Sequence, residues 1–219
     1  MTTQVLVVAK APVPGQAKTR LGVEIGHAAA ADLAAAALLD TLEACRQAFG
    51  DHCHLALTGD LDQASRGAEI TAALSGWNVF AQRGDTFGDR LAHAHGVVGE
   101  QVLQVGMDTP QVTPGQLRGA AEHLAEGTEV VLGPAEDGGW WLLGLADGAR
   151  AEVLRDVAMS TPTTYADTVH ALTGDPAVGF VSLQRLRDVD TCADAAAVAA
   201  CAPSTRFART WAAARAVAS

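Results

Sequence analysis

The sequence predicts an α/β fold in which a mostly parallel sheet is covered by helices on both faces. Two observations predict it: short apolar runs alternate with helical segments along almost the whole chain, and a polar or glycine-rich motif directly follows several of those runs. Strands that are separated by helical segments pair in parallel, and both faces of such a sheet are covered. With 219 residues and 49% hydrophobic content, the chain can bury one core, so we expect a single domain over residues 1–219.

Apolar runs locate the strands, and longer alanine- and leucine-rich segments locate the helices. The first strand is expected at residues 5–8, and the helix His27–Phe49 is expected to end near Gly50. Further strands are predicted at residues 53–57, 77–81, 102–105, 129–132, 140–145 and 179–183. Further helices are predicted at residues 61–74, after the loop 82–89 through residue 98, at 114–125 and 163–172, and from 192 onward. His93 and His95 would point in different directions on a helix, and we expect both at the surface.

Composition disfavours several classes of partner. The net charge is −10, which argues against nucleic acid and against anionic membrane surfaces. No apolar run approaches the ~20 residues of a membrane span, and no cleavable leader is recognisable at the N-terminus. The four cysteines lack the spacing of a metal site. We therefore expect a cytoplasmic protein with reduced thiols and with no nucleic-acid or membrane partner.

The segment after the first strand, KAPVPGQAKTR at residues 10–20, is the most informative part of the chain. Its prolines and glycine prevent regular structure, so it is predicted to be a shaped loop. The loop carries three positive charges and no negative one, although the whole chain is acidic. A cationic loop at the carboxyl end of a first strand is typical of phosphate binding, and a solvated surface turn is the alternative. The candidate nucleotide-binding residues of this loop are Lys10, Ala11, Pro14, Gly15, Lys18 and Arg20.

Two further motifs place carboxylates directly after apolar runs. Asp108 lies in GMDTP after the run 102–105, where it could bind an oxygen-preferring cation such as Mg²⁺ or cap a turn. Asp188 and Asp190 lie in DVDT after the last predicted strand. Two like charges held close together need a cation or hydrogen-bond donors, whereas Asp190 or Thr191 could instead cap the helix that follows.

A third motif, GPAEDGGWW at residues 133–141, combines acids, glycines and aromatic rings. The glycines allow close approach of the backbone to a ligand, and the acids would form a negatively charged wall. A tight hairpin would equally explain Gly138 and Gly139. Alternation along a strand places the two tryptophan rings on opposite faces, so one is expected in the core while the other could stack on a ligand.

Taken in order, PGQAKTRL, QRGDTFGDRL, GMDTP, GPAEDGGWWLLGL and DVDT resemble the cofC-like branch of the nucleotide-diphospho-sugar transferase superfamily. Its members are often described as glycosyltransferases and are similar to 2-phospho-lactate guanylyltransferases. The resemblance covers residues 5–199 and implies the glycosyltransferase-A (GT-A) fold. This is a three-layer α/β/α sandwich with a mixed, mainly parallel sheet.

The resemblance also implies roles for individual residues. Lys18 and Arg20 would bind the nucleotide phosphates, and Asp108 and Asp190 would hold Mg²⁺ or Mn²⁺. Lys18, Asp108 and Asp190 would form the catalytic set. Three residues match a segment that lines the base or sugar pocket of related nucleotidyltransferases: Gln82, Gly84 and Gly88. The acceptor side would include Glu136, Asp137, Gly138, Gly139 and Trp140.

Three functions fit these observations. The first is transfer of a nucleotidyl group from a nucleoside triphosphate to a phosphorylated small acceptor, with release of pyrophosphate. The second is glycosyl transfer from a nucleotide sugar to an acceptor hydroxyl. The third is nucleotide binding without catalysis, which would not need two acids for a metal. The three cations of the first loop favour a triphosphate, because its greater charge needs more compensation.

Overall fold

The computed structural model describes residues 2–217, and its centre is a seven-stranded sheet in the order β3-β2-β1-β4-β6-β5-β7. The strands are β1 (Gln4–Lys10), β2 (Cys53–Thr58), β3 (Asn78–Ala81), β4 (Val102–Val105), β5 (Val130–Pro134), β6 (Trp140–Leu145) and β7 (Phe180–Ser182). All neighbouring pairs are parallel except those of β6, which is antiparallel to both β4 and β5. The predicted mixed, mainly parallel sheet is therefore confirmed.

Helices cover both faces of the sheet. They are α1 (Thr19–Ile25), α2 (His27–Phe49), α3 (Gly67–Ala73), α4 (Phe87–Val98), α5 (Pro114–Ala125), α6 (Thr164–Leu172), α7 (Cys192–Cys201) and α8 (Arg206–Val217). Two 3-10 segments, Leu61–Gln63 and Gly148–Asp156, complete the element order. Within the described part of the chain, no helix combines the length and the apolarity that a membrane span requires.

Alternate residues of the buried strands pack into two separate hydrophobic cores. Val5 and Val7 of β1 pack in one core beneath α2 and α5, whereas Leu6 and Val8 pack in the other beneath α4 and the segment Gly148–Asp156. This is the two-residue periodicity of a strand that is buried on both faces. A third cluster joins α1, α2, α7 and α8, with Phe207 and Trp211 of α8 among its members.

The sheet topology brings several distant loops to one edge. The carboxyl ends of the parallel strands β1 and β4 lie at this edge. Because β6 runs antiparallel to β5, the connection between the two strands lies at this same edge. Asp137 lies in this connection, and Trp140 is the first residue of β6. A backbone hydrogen bond of 3.1 Å from Val189 to the carbonyl of Asp108 ties the DVDT segment to the end of β4. Residues far apart in sequence are thereby placed around one site.

Most predicted elements are present, and three expectations are wrong. The first loop ends at α1, which begins at Thr19, because Lys18 adopts a left-handed conformation with φ 47° that starts the helix. The helix predicted at residues 61–74 is a 3-10 turn followed by α3, and the segment Gly148–Asp156 was not predicted. His95 is fully buried rather than exposed, since α4 turns this side chain toward Gln104 of β4.

Candidate functional site

A cavity of about 530 Å³ opens at the carboxyl edge of β1 and β4. It is bordered by the first loop, the GMDTP segment, the connection between β5 and β6, residues 159–164 and the DVDT segment. The predicted site residues that line it are Lys10, Lys18, Arg20, Asp108, Asp137, Gly139, Trp140 and Asp190. The five sequence motifs therefore contribute different numbers of residues to the lining of the cavity.

Lys18 is the centre of the site. Its Nζ donates to Oδ2 of Asp108 at 3.0 Å and to Oδ1 of Asp190 at 2.9 Å. The Lys18 side chain is only 13% exposed, whereas the two carboxylates are each 36% exposed. Arg20 is 80% exposed and reaches Oδ2 of Asp190 from outside at 3.5 Å. Lys18 therefore directly contacts Asp108 and Asp190, the two acids with which the family resemblance groups it as a catalytic set.

The local electrostatics keep Lys18 charged. Burial lowers the pKa of Lys18, but the charges of Asp108 and Asp190 and their hydrogen bonds more than offset this, so the pKa is raised overall. An ammonium group has three N–H donors, and two are used by the carboxylates. The remaining donor can bind an anionic oxygen in the cavity.

Neighbouring residues of the DVDT segment have different roles, since one caps a helix and others face the cavity. Thr191 forms the cap of α7, because its hydroxyl accepts from the backbone of Asp194 at 3.2 Å while Asp194 accepts in return. Asp190 is thus left to face Lys18. Asp188 also lines the cavity, and burial together with the nearby charges of Asp137, Asp108 and Asp190 raises its pKa to about 6. This segment therefore contributes both a helix cap and two carboxylates.

The connection between β5 and β6 separates its two acids. Glu136 forms an ion pair with Arg187 at 2.6 Å and does not line the cavity, whereas Asp137 does. Trp141 is 3% exposed and packs in the core beneath α5, with its ring against Gly133. Trp140, on the opposite face, is partly buried, and its indole N–H donates to Thr168 at 3.3 Å. Both tryptophans border the cavity.

The remaining candidate residues do not line the cavity, and several of them have structural contacts instead. Gln82 donates from Nε2 to the carbonyls of Ala9 at 2.8 Å and Ala56 at 3.0 Å, and so bridges β1 and β2. Gly84 and Gly88 are sites of close approach, where a Cβ would lie 2.4 Å from Asp89 and 2.2 Å from the carbonyl of Leu154. The other residues of this kind are Ala11, Pro14, Gly15 and Gly138. Their predicted ligand roles stay predictions.

Sequence reasoning missed several polar residues of the cavity, among them Gln104 and Thr109, which are buried on and after β4. Gln104 lies on β4, is 2% exposed, and pairs its Oε1 with Nε2 of His95 at 2.8 Å. Thr109 is 1% exposed, and its hydroxyl has no hydrogen-bond partner within residues 2–217. A polar side chain in the middle of the apolar run VLQV was the available signal for Gln104.

A second groove of about 580 Å³ lies between α2, α3 and α8. Two of its arginines are paired with acids: Arg66 contacts Asp32 at 2.6 Å and Arg206 contacts Asp40 at 3.4 Å. The cavity at the sheet edge contains the buried, unpartnered hydroxyl of Thr109 and the contacts of Lys18 with two carboxylates, so we assign the functional site there.

Comparison with known proteins identifies the class. A structure from Desulfovibrio desulfuricans G20, provisionally assigned as a nucleotide-diphospho-sugar transferase, is 26% identical with a TM-score of 0.82, covering 97% of this chain and 94% of that one. A cytidylyltransferase from Leptospira borgpetersenii serovar Hardjo-bovis is 15% identical with a TM-score of 0.57, covering 89% and 83%. CMP:2-keto-3-deoxy-manno-octonic acid synthetase in complex with CTP is 12% identical with a TM-score of 0.55, covering 91% and 98%. The fold and these matches define an enzyme of the nucleotide-diphospho-sugar transferase kind.

The family follows from the sequence match. Residues 41–161 match the family described as "Uncharacterized protein conserved in bacteria (DUF2064)". The chain belongs to this family. No curated protein sequence matches it significantly.

Proposed function

We propose that the protein is a Mg²⁺- or Mn²⁺-dependent nucleotidyltransferase that uses a nucleoside triphosphate and releases pyrophosphate. The observation that carries this proposal is the position of Lys18, whose ammonium group contacts Asp108 and Asp190 inside the cavity and has a third N–H donor with no hydrogen-bond acceptor among residues 2–217. Lys10 and Arg20 line the same cavity. Three cations around one cavity suit the charge of a triphosphate and of the departing pyrophosphate.

The acids of the cavity are suited to a divalent cation. Asp108 and Asp190 already converge on one positive charge, that of Lys18, and hard oxygen ligands are those that Mg²⁺ prefers. Within residues 2–217, no group of three or more His, Cys, Asp or Glu side chains is arranged to hold a metal by itself. Mg²⁺ commonly takes one or two protein carboxylates together with substrate phosphates, which is the arrangement we propose. When bound, the cation would neutralise charge on the phosphates.

The residues of the chain have distinct roles in this proposal. Lys18 and Arg20 donate to phosphate oxygens and stabilise the charge that develops on the leaving group. An acceptor oxygen attacks the α-phosphorus, the bond from that phosphorus to the bridging oxygen breaks, and its electron pair leaves with pyrophosphate. The cavity next to Asp137 and Trp140 receives the acceptor.

Glycosyl transfer from a nucleotide sugar is the second candidate. The observation in its favour is the match of 26% identity and TM-score 0.82 to the provisionally assigned nucleotide-diphospho-sugar transferase. In this reaction an acceptor hydroxyl attacks the anomeric carbon and a nucleoside diphosphate leaves. The same cations and acids would serve the diphosphate.

A thermal-shift panel tests the proposal. Nucleoside triphosphates and nucleotide sugars are each added with and without Mg²⁺, and a ligand at about 100 times its Kd adds ~2.7 kcal/mol of stability. The stabilising donor is then incubated with Mg²⁺ and candidate acceptors. Pyrophosphate release supports nucleotidyl transfer, and nucleoside diphosphate release with sugar transfer supports the alternative. Failure of every nucleotide to bind would contradict both.

A further inference from the structure

Asp137 and its neighbour Glu136 are adjacent in sequence but differ in environment. Glu136 is neutralised by Arg187 at 2.6 Å outside the cavity. Asp137 lines the cavity, and no ion pair to it is formed within residues 2–217. Of the two acids, Asp137 is therefore the one that borders the cavity without an ion pair among residues 2–217.

The Asp137 carboxylate is held in a fixed position. Its Oδ1 accepts from the backbone N–H of Gly139 at 2.7 Å, which leaves Oδ2 without a hydrogen bond among the described residues. The loop requires glycine at Gly138, whose φ of 94° suits glycine and where a Cβ would lie 2.2 Å from the carbonyl oxygen of Pro162. Tyr165 donates its N–H to the carbonyl of Gly138 at 2.8 Å and anchors the loop on α6. A free carboxylate oxygen is therefore presented on a rigid support.

This part of the cavity is negatively charged. Asp188 also lines it, and the charge of Asp137 contributes to the raised pKa of Asp188. The nearby arginines are bound elsewhere: Arg185 donates to the carbonyl of Ala135 at 2.8 Å, and Arg187 contacts Glu136 and Asp194. Like charges repel, so a phosphate group on the acceptor would be disfavoured here.

Two further polar groups at the cavity have no hydrogen-bond partner among residues 2–217. Gln104 is 2% exposed, and His95 holds its Oε1 at 2.8 Å. No hydrogen bond to the Gln104 amide nitrogen is formed by residues 2–217, although the side chain lines the cavity. The Thr109 hydroxyl is likewise without a partner in this range. Buried polar groups are normally paired, so the unpartnered Thr109 hydroxyl is an independent indication that the cavity binds a ligand with hydrogen-bonding groups.

We propose that Asp137 is the general base for an acceptor hydroxyl, and that the acceptor is an unphosphorylated, hydroxyl-bearing molecule. This inference rests on the proposed function, for either donor, and it replaces the phosphorylated acceptor that we expected from the sequence. The hydroxyl proton moves to Oδ2 of Asp137 as the acceptor oxygen bonds to the electrophilic phosphorus or anomeric carbon, and the leaving group departs with its electron pair. A phosphate nucleophile is already anionic and needs no base, whereas a hydroxyl gains from one.

Donor cleavage measured with and without small acceptors tests the inference. Water and glycerol serve as hydroxyl acceptors, and glycerol phosphate is the phosphorylated counterpart. The test variant is Asp137→Asn, which keeps an oxygen to accept from Gly139. The matched control is Asp147→Asn, because Asp147 is exposed and accepts from Ala149 in the same type of turn at 2.9 Å, away from the cavity.

The expected result is a fall in donor cleavage of about 10²- to 10⁴-fold in Asp137→Asn, with an unchanged Kd for the donor nucleotide. Asp147→Asn should match the wild type, and glycerol should accelerate turnover more than glycerol phosphate. The inference is overturned by an undiminished rate in Asp137→Asn, by faster turnover with glycerol phosphate, or by no donor cleavage in the wild type. Failure of all nucleotides to bind would instead contradict the proposed function.

Discussion

At the scale of single residues, the proposed binding of phosphate by an acidic chain depends on Lys18. The chain contains only two lysines, Lys10 and Lys18, and both line the cavity. The sequence predicted that residues 18, 108 and 190 lie at the same edge of the sheet, because each belongs to a motif that follows an apolar run. It did not predict their ion pairs, since a left-handed residue at position 18 and the tie between Val189 and Asp108 are set by tertiary structure.

Replacing Lys18 tests its role in phosphate binding. We expect Lys18→Ala to weaken binding of the nucleotide by about 1.5–3 kcal/mol, the contribution of a hydrogen bond to a charged group. Isothermal titration calorimetry measures the Kd. Arg209→Ala is the control, because it changes the net charge equally and removes only an exposed contact to the carbonyl of Ser204. An unchanged Kd in Lys18→Ala would show that the first loop is an ordinary surface turn with no role in phosphate binding.

Replacing Asp108 tests the proposed cation site. We expect Asp108→Asn to abolish turnover while the fold is kept, because the substitution removes the charge but preserves the shape. Turnover is measured as pyrophosphate release, and circular dichroism reports the fold. Full activity in a folded Asp108→Asn protein would exclude Asp108 as a required ligand.

At the scale of elements, α4 shows both the reach of sequence reasoning and its limit. Its end at Val98 was predicted, and Thr86 and Asp89 form the capping box at its start. The burial of His95 was not predicted, because a helix that packs against both β4 and a 3-10 segment has a wider buried face than its sequence suggests. The segment Gly148–Asp156 was missed for a related reason: it is polar and is stabilised by packing rather than by periodicity.

Two glycines of α4 allow the effect of packing on stability to be measured separately from the effect of helix propensity. A Cβ at Gly88 would lie 2.2 Å from the carbonyl of Leu154, whereas at Gly96 it would meet nothing within 4 Å. We expect Gly88→Ala to lower the free energy of unfolding by about 1–3 kcal/mol through overpacking. Gly96→Ala should raise it by up to about 1 kcal/mol, because alanine favours the helix. Urea denaturation measures both values, and equal effects would contradict the close packing of α4 on Gly148–Asp156.

The buried His95 makes stability depend on pH. Burial lowers its pKa from 6.5 to about 4, while the hydrogen bond with Gln104 partly opposes the shift. The folded state therefore binds this proton less readily than the unfolded state, so stability is full above pH 6.5 and is lost as the pH falls toward 4. The loss should amount to about 3 kcal/mol.

Urea denaturation between pH 7.5 and 4.5 measures this dependence. His95→Gln can still bond to Gln104 but does not titrate, so its stability should fall less steeply over this range. Parallel slopes for the wild type and His95→Gln would show that His95 does not cause the dependence.

At the scale of the whole molecule, the order of strands in the sheet builds the site. The sequence predicted the fold class and the edge at which the motifs meet, because alternating strands and helices leave few topologies. It could not predict which members of each motif face the cavity. Glu136 and Asp137 have similar chemistry, and only the position of Arg187 separates them. Gln82 and Gln104 are distinguished in the same way, by hydrogen bonds that form only in the folded chain.

The central claim is that Asp108 and Asp190 share a divalent cation while Lys18 binds the phosphates. A crystal structure with Mn²⁺ and a non-hydrolysable analogue of the stabilising nucleotide tests it most directly, because the anomalous signal of manganese locates the ion. We expect one manganese ion bound by both carboxylates and by phosphate oxygens, with Nζ of Lys18 within hydrogen-bond distance of the phosphates. A nucleotide bound elsewhere, or manganese bound away from these two carboxylates, would contradict the account.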